Sequence, residues 1–403
     1  MRRLSLLLIC LYLTACAEDT SVKGTLKGIG DYFRGGADNS EPPTELVDYP
    51  PEVNVDVIWK ESVGVGADEQ TLKLVPAIGF GKILAADNEG LVEAHDLATG
   101  KLLWEAEAED DQEREVHFSG GPGIGNGTAI LGSSDAEVIA LNIENGTTLW
   151  KTKVTSEVLS VPVVAKGVVV VRTIDGGIVA LDEKTGQKLW HYEHNIPALS
   201  VRGVSAPIIV EDKVICGYDS GKMIALQLEN GKYIWETSVA IPSGRSEVER
   251  LVDLDVDPVE EGGMIYAASY QGGISAITQT NGDVQWHNPE VSSYTGLAKD
   301  FQYLYLSDSD SDLLQIDQQT GRALWKQKDL HQRKLTAPAV YSSYVVVGDY
   351  DGYVHWLSNT DGRQLGRIHL TGSAIDSRPL VVDNTVYVYA KNGTLAALKA
   401  SLP

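Results

Sequence analysis

Sulfur, phenylalanine and positive charge are all scarce in this chain of 403 residues, which has three Cys, three Met, four Phe and 33 Lys and Arg against 56 Asp and Glu. The net charge of −23 makes nucleic acid and anionic membrane surfaces poor partners, since both are recognised by clustered Lys and Arg. Only Cys216 lies beyond residue 16, so the body of the chain has no intramolecular disulfide. A lone strand Cys is most often a small core residue. Sustained 3.6-residue periodicity is missing, which excludes helical repeats and leucine-rich horseshoes. The apolar run Leu4 to Leu13 is too short to span a bilayer as a mature helix.

Chemistry is thin as well. The chain has no Gly-x-Ser-x-Gly elbow and no Cys/His pairing that would make a nucleophile. His191 and His194 lie on a presumed strand exit, where residues three apart do not share a face as they would on a helix. Asp308-Ser309-Asp310-Ser311-Asp312 lacks the Gly and distal Glu of a calcium loop. Gly123-Ile124-Gly125-Asn126-Gly127 is not followed by a helix, so it is no phosphate cradle. No catalytic residue, metal or cofactor is expected.

What is abundant is repetition. A small residue is followed ten residues later by a Trp, with a Thr-Gly or Asn-Gly turn between, at Ala94/Trp104, Ala140/Trp150, Ala180/Trp190, Ala225/Trp235 and Ala276/Trp286. Gln315/Trp325 keeps the Trp, Trp356/Gly366 exchanges large for small, and Ala397 runs out of chain. Successive anchors lie 46, 40, 45, 51, 39, 41 and 41 residues apart. Each unit reads as four short strands, for example Pro207–Val210, Lys213–Tyr218, Lys222–Gln227 and Lys232–Thr237, separated by tight turns. Four strands per unit of about 40 residues is the blade of a β-propeller. The fold class is therefore all-β, an eight-bladed propeller of four-stranded antiparallel blades spanning residues 51–403. The orphan strand around Trp59 supplies the strand that the last blade lacks, opposite Ala397, because an unpaired edge is an aggregation liability. The exchange at Trp356/Gly366 keeps volume within the pair, the kind of core change best tolerated. The tryptophans are thus architecture.

The N-terminus carries an address. Arg2-Arg3 and the apolar run make a signal peptide over residues 1–15. It ends Leu13-Thr14-Ala15-Cys16, which resembles the lipobox of bacterial lipoproteins and implies acylation of Cys16; Ala17 implies sorting to the outer membrane. Removing residues 1–15 leaves 31 basic and 56 acidic residues, a net charge of −25. Residues 16–50 then hold the lipidated Cys and a tether of Gly, Asp, Glu, Ser and Pro, which as a coil of roughly 32 residues spans on the order of 30 Å.

The connections between blades are uneven. From each Trp position to the next anchor takes 29 to 31 residues in the compact blades, but 36 after Trp104, 35 after Trp190 and 41 after Trp235. The last two belong to neighbouring blades and emerge on one face. One reads Pro197-Ala198-Leu199-Ser200-Val201-Arg202-Gly203, the other Ser246 to Asp255 with acids alternating with apolar residues. Such loops are interface material, yet Arg202 and Asp253 equally well brace the loops against each other. Spacing alone leaves both open.

Lipobox, tether, eight repeats, and the stretches Leu199–Pro207 and Glu247–Asp255 together resemble the B lipoproteins of the bacterial outer-membrane β-barrel assembly machinery, over the whole mature chain. That resemblance implies a non-enzymatic scaffold, lipid-anchored in the outer membrane and facing the periplasm. It would bind periplasmic domains of the machinery's central barrel subunit and aid the folding and insertion of outer-membrane proteins, with unfolded clients as a further candidate partner. The partner-binding positions it implies are Leu199, Val201, Arg202, Asp253 and Asp255, with Val201 a departure from the family's usual Leu. The acidic run Glu105–Glu115 matches no role. Two alternatives remain: a periplasmic quinoprotein dehydrogenase using pyrroloquinoline quinone, which shares the Trp repeats but usually carries an adjacent Cys pair absent here, and a lipid-anchored propeller with another envelope partner.

Overall fold

Short apolar strands joined by polar turns can bury both faces of a sheet only by stacking sheet on sheet, and the chain does so eight times. The computed structural model describes residues 41–67, 70, 72–108, 115–194, 205–242 and 251–402. Eight sheets follow in chain order as the blades of an all-β propeller, each of four antiparallel strands, with a short fifth strand added in parallel to blade 2. Blades 1 to 7 cover residues 77–107, 118–153, 163–192, 208–238, 259–288, 297–327 and 339–369; blade 8 joins the strands of 380–401 to Asn54–Ser62.

Local chemistry sets the hairpins. In blade 3 the turn between the third and fourth strands is closed by Asp182, whose Oδ1 accepts from the Lys184 amide (3.1 Å), the Thr185 amide (2.9 Å) and the Thr185 hydroxyl (2.7 Å). Gly186 follows at φ 70°, a left-handed conformation that suits glycine. Asp96 with Thr99, and Asp317 with Thr320, repeat the arrangement.

That glycine has a second duty. Ala180 faces Trp190 across its own blade, and the same register sets Ala94 against Trp104, Ala140 against Trp150, Ala225 against Trp235 and Ala276 against Trp286. Each Trp ring then leans on the turn glycine of the next blade: Trp150 on Gly186, Trp190 on Gly231, Trp235 on Gly282. A Cβ on any of these glycines would collide with the indole. Each indole N–H donates to a carbonyl of the same turn, as Trp150 to Glu183 (2.8 Å) and Trp190 to Leu228 (2.8 Å). Between the interlocks lie apolar layers drawn from adjacent blades, such as Val170, Ile178 and Ala180 against Val214, Cys216 and Ile224. Cys216 is fully buried there, and burial raises its thiol pKa, keeping it protonated.

Trp59 sits opposite Ala397 as the outer strand of blade 8, and its indole donates to the Leu97 carbonyl of blade 1 (3.2 Å). The exchange at Trp356/Gly366 has a cause beyond pair volume. Blade 8 has no third-to-fourth-strand turn for a blade 7 Trp to rest on, since its fourth strand comes from the other end of the sequence. The incoming segment fills that place: the amides of Glu52 (2.7 Å) and Val53 (3.0 Å) both donate to the Leu365 carbonyl, and a Cβ on Gly366 would strike the Val53 carbonyl.

Residues 43–50, expected as the end of a tether, belong to the same compact unit as the blades. The Thr44 amide donates to the His331 carbonyl (3.0 Å), and the Thr44 carbonyl accepts from Arg333 Nη1 (3.1 Å). Arg333 is itself buried against Asp349 (Nε to Oδ2, 2.7 Å), which His355 also contacts (3.0 Å). Further on, Arg367 lies over the Tyr49 ring (5.4 Å) and donates to the Val47 carbonyl (2.9 Å). These contacts hold the segment as a strap across blades 6 and 7.

Candidate partner-binding surface

In a four-stranded meander, the turn between strands two and three and the connection to the next blade leave from the same end. The strand ends from which both long connections leave and to which they return, 192 and 208 for blade 4 and 238 and 259 for blade 5, therefore lie on one face. Leu199, Val201 and Arg202 lie outside the described residues, as do residues 243–250 and most of the acidic run Glu105–Glu115. Asp253 and Asp255 are described, and they are not on the surface: the residues are 1% and 7% exposed.

Their burial has a local reason. Val252, Leu254 and Val256 are also buried, so both alternating sets of this segment point into protein. Glycines make the room. Gly217 leaves space for Leu254, and Gly221 for Val252; a Cβ on either would crowd them. Backbone bonds then hold the segment between neighbouring blades, with the Leu254 amide donating to the Tyr218 carbonyl (3.3 Å) and the Tyr270 amide to the Asp253 carbonyl (3.1 Å).

Buried carboxylates need compensation. Arg172, 1% exposed at the end of the second strand of blade 3, supplies part of it. Its Nη2 donates to Asp219 Oδ1 (3.0 Å), its Nη1 to Ser205 Oγ (3.2 Å), and its guanidinium lies 4.7 Å from the centroid of the Tyr218 ring. Ser205 stands at the end of the first long connection, so Arg172 ties that loop's base to the 218–221 turn. Asp255 is less well served. Burial, and after it the nearby Asp219 and Asp253 carboxylates, push its pKa up to about 7, against the pull of Lys73 and Arg172.

A second node lies at Asp257. Its Oδ1 accepts from the Ala206 amide (2.6 Å) and from Lys73 Nζ (3.1 Å), which also donates to the Asp255 carbonyl (3.2 Å). Lys73 belongs to a short strand, Lys73–Leu74, that pairs in parallel with the first strand of blade 2. Arg172, Asp257 and Lys73 were not among the sequence candidates. Two of them had a signal: Arg172 ends the otherwise apolar run Val168–Arg172, and Asp257 continues the alternation of Asp253 and Asp255.

The remaining candidates resolve into structure. His191 meets Glu193 (3.2 Å) while the His194 ring lies tilted against Tyr218, ring centroids 4.0 Å apart, so the two histidines serve different neighbours. Burial lowers the His194 pKa. Lys326 Nζ sits between Asp308 (2.8 Å) and Asp312 (2.9 Å), and His331 takes the other Asp312 oxygen (2.7 Å). A lysine thus occupies the position a cation would take in that acidic turn.

Comparison with known proteins agrees with this architecture. A family model described as outer membrane protein assembly factor BamB matches residues 88–327 and again 309–401. The outer membrane protein assembly factor BamB of Xanthomonas campestris pv. campestris is 39% identical over 397 residues, covering 97% of this chain and 96% of that protein. The crystal structure of BamB from Moraxella catarrhalis superposes with a TM-score of 0.76 at 27% identity, over 86% of this chain and 100% of that one. A quinohemoprotein alcohol dehydrogenase from Comamonas testosteroni reaches a TM-score of 0.64 at 14% identity, over 87% of this chain and 77% of that one. The last likeness is one of fold alone.

Proposed function

The chain belongs to the BamB family of outer membrane protein assembly factors, and from that premise we propose that it is a lipid-anchored scaffold whose two long loops dock periplasmic domains of the central barrel subunit of the assembly machinery. By family it is an assembly factor and not an enzyme. Acylation of Cys16 would hold it at the periplasmic face of the outer membrane, where more than one lipid chain anchors stably. In this reading Leu199, Val201 and Arg202 meet the partner directly, and the buried Asp253 and Asp255 shape the surface from below.

The observation that carries the proposal is the pair of long connections on adjacent blades, whose bases share bonded anchors: Ser205 on Arg172, and Ala206 on the carboxylate of Asp257. Connections with bonded bases whose sequences carry apolar and charged residues are what a specific protein interface needs. Aiding the folding and insertion of outer-membrane proteins would follow from holding the barrel subunit's periplasmic domains, with unfolded clients a further partner.

The test is a pull-down of the assembly complex with wild type and with Arg202→Ala. The variant is expected to lose the barrel subunit while its melting temperature stays unchanged, since a substitution in an inter-blade connection, outside the blade strands, should change stability little. Undiminished recovery of the subunit would end the loop hypothesis.

A further inference from the structure

Three inter-blade connections meet at one carboxylate. Asp257 stands at the end of the connection into blade 5; the Ala206 amide that bonds it ends the connection into blade 4; Lys73 comes from the connection into blade 1. In a ring of eight, blade 1 lies opposite blade 5, so Lys73 reaches its partner across the mouth of the ring. It is held for that reach by the parallel pairing of Lys73 and Leu74 with Gly120 and Gly121 of blade 2.

We infer that Asp257, clamped by Lys73, is a positioning residue that fixes the two long loops relative to each other and so sets the protein's competence to dock its partner. This rests on the docking role proposed above. An exposed ion pair on its own contributes little, and the Asp257 side chain is half exposed. The geometry gives this one leverage. A single oxygen takes a charge-assisted bond from the backbone of one loop while its own backbone belongs to the other, and the lysine restrains the carboxylate that makes the bond. Binding by preordered loops avoids the ordering cost that loose loops incur.

The two bonds can be separated. Asp257→Asn keeps an oxygen acceptor for Ala206 but loses the ion pair; Asp257→Ala loses both; Lys73→Met keeps the Ala206 bond and removes the clamp together with the Lys73 bond to the Asp255 carbonyl. Affinity of the full mature chain for purified periplasmic domains of the barrel subunit is measured beside hydrogen exchange of the unbound chain, with Arg202→Ala as the control for the docking role. Asp257→Ala is expected to weaken binding about tenfold and to speed amide exchange around Ala206 and residues 251–258, with blade interiors unchanged. Asp257→Asn and Lys73→Met should each weaken it about threefold, and the double variant no further than Lys73→Met alone, because the ion pair that Asp257→Asn removes is already lost with the lysine. If Asp257→Ala binds like wild type while Arg202→Ala does not, the inference is wrong and the docking role stands. Lost binding with unchanged exchange would make Asp257 a direct contact, and faster exchange through the blades would make it a general stability residue; either overturns the inference. Full binding by Arg202→Ala would instead remove the docking role itself.

Discussion

Asp255 is the residue at which charge and packing are most at odds. It is buried among carboxylates, and its Oδ1 has no hydrogen-bond partner among the described residues. With a folded pKa of about 7 against the ordinary carboxyl value of 3.8, the native protein holds a proton there that the unfolded chain has released over the intervening pH range. That contribution to stability is fully present below about pH 4 and is lost as pH rises through 7. Asp255→Asn makes the neutral form permanent. The variant should match wild type near pH 4 and exceed it at pH 8, by at most about 4 kcal/mol at roughly 1.4 kcal/mol per pKa unit. Urea unfolding at the two pH values checks this; a difference that is the same at both would show that Asp255 does not titrate with folding. The alternation of acids in this stretch was legible in the sequence. Its burial was not, because it depends on Gly217 and Gly221, which are distant in sequence from the side chains they admit.

At the scale of the element, the blade is completed by its neighbour. The sequence pairs Ala with Trp within one hairpin, but most of each indole's work is done on the following blade, against a turn glycine and a carbonyl. Trp190 is 9% exposed with a 2.8 Å bond to Leu228, so Trp190→Ala should cost about 3–5 kcal/mol. Trp325 is half-buried, and its 3.3 Å bond goes to the Asn359 carbonyl that Gln315 also takes (2.7 Å). Trp325→Ala should therefore cost distinctly less. Thermal melts of the two variants compare them directly, and an equal or reversed order would refute the interlock as the main source of the cost. The same logic explains blade 7. A Trp belongs where the next blade offers a glycine turn, and where it offers the Val53 backbone instead, the position is Gly366.

Over the whole molecule, the strand Asn54–Ser62 and the strap before it gather blades 6, 7 and 8. Without that strand, blade 8 would show the open edge of Thr394–Ser401, and blade 1 would lose the Trp59 indole that leans on Gly100. A chain beginning at residue 43 should keep a melting transition close to that of the full chain. One beginning at residue 64 should melt far lower and self-associate on a sizing column, as an unpaired edge invites. If the shorter chain were monomeric and equally stable, the pairing of Trp59 with Ala397 would be dispensable.

The sequence by itself determined the blade count, the register of small residue against Trp, the turn chemistry and the two long loops, because these depend on local periodicity and on turn residues with fixed conformational demands. Only the tertiary structure decided which groups converge. Arg172 on Asp219, Lys73 across the ring mouth on Asp257, and Val53 in the place of a tryptophan join residues separated by 47, 184 and 313 positions. Contacts of that span leave no periodic trace, since they arise from how eight similar units close on one another and not from any one unit's pattern.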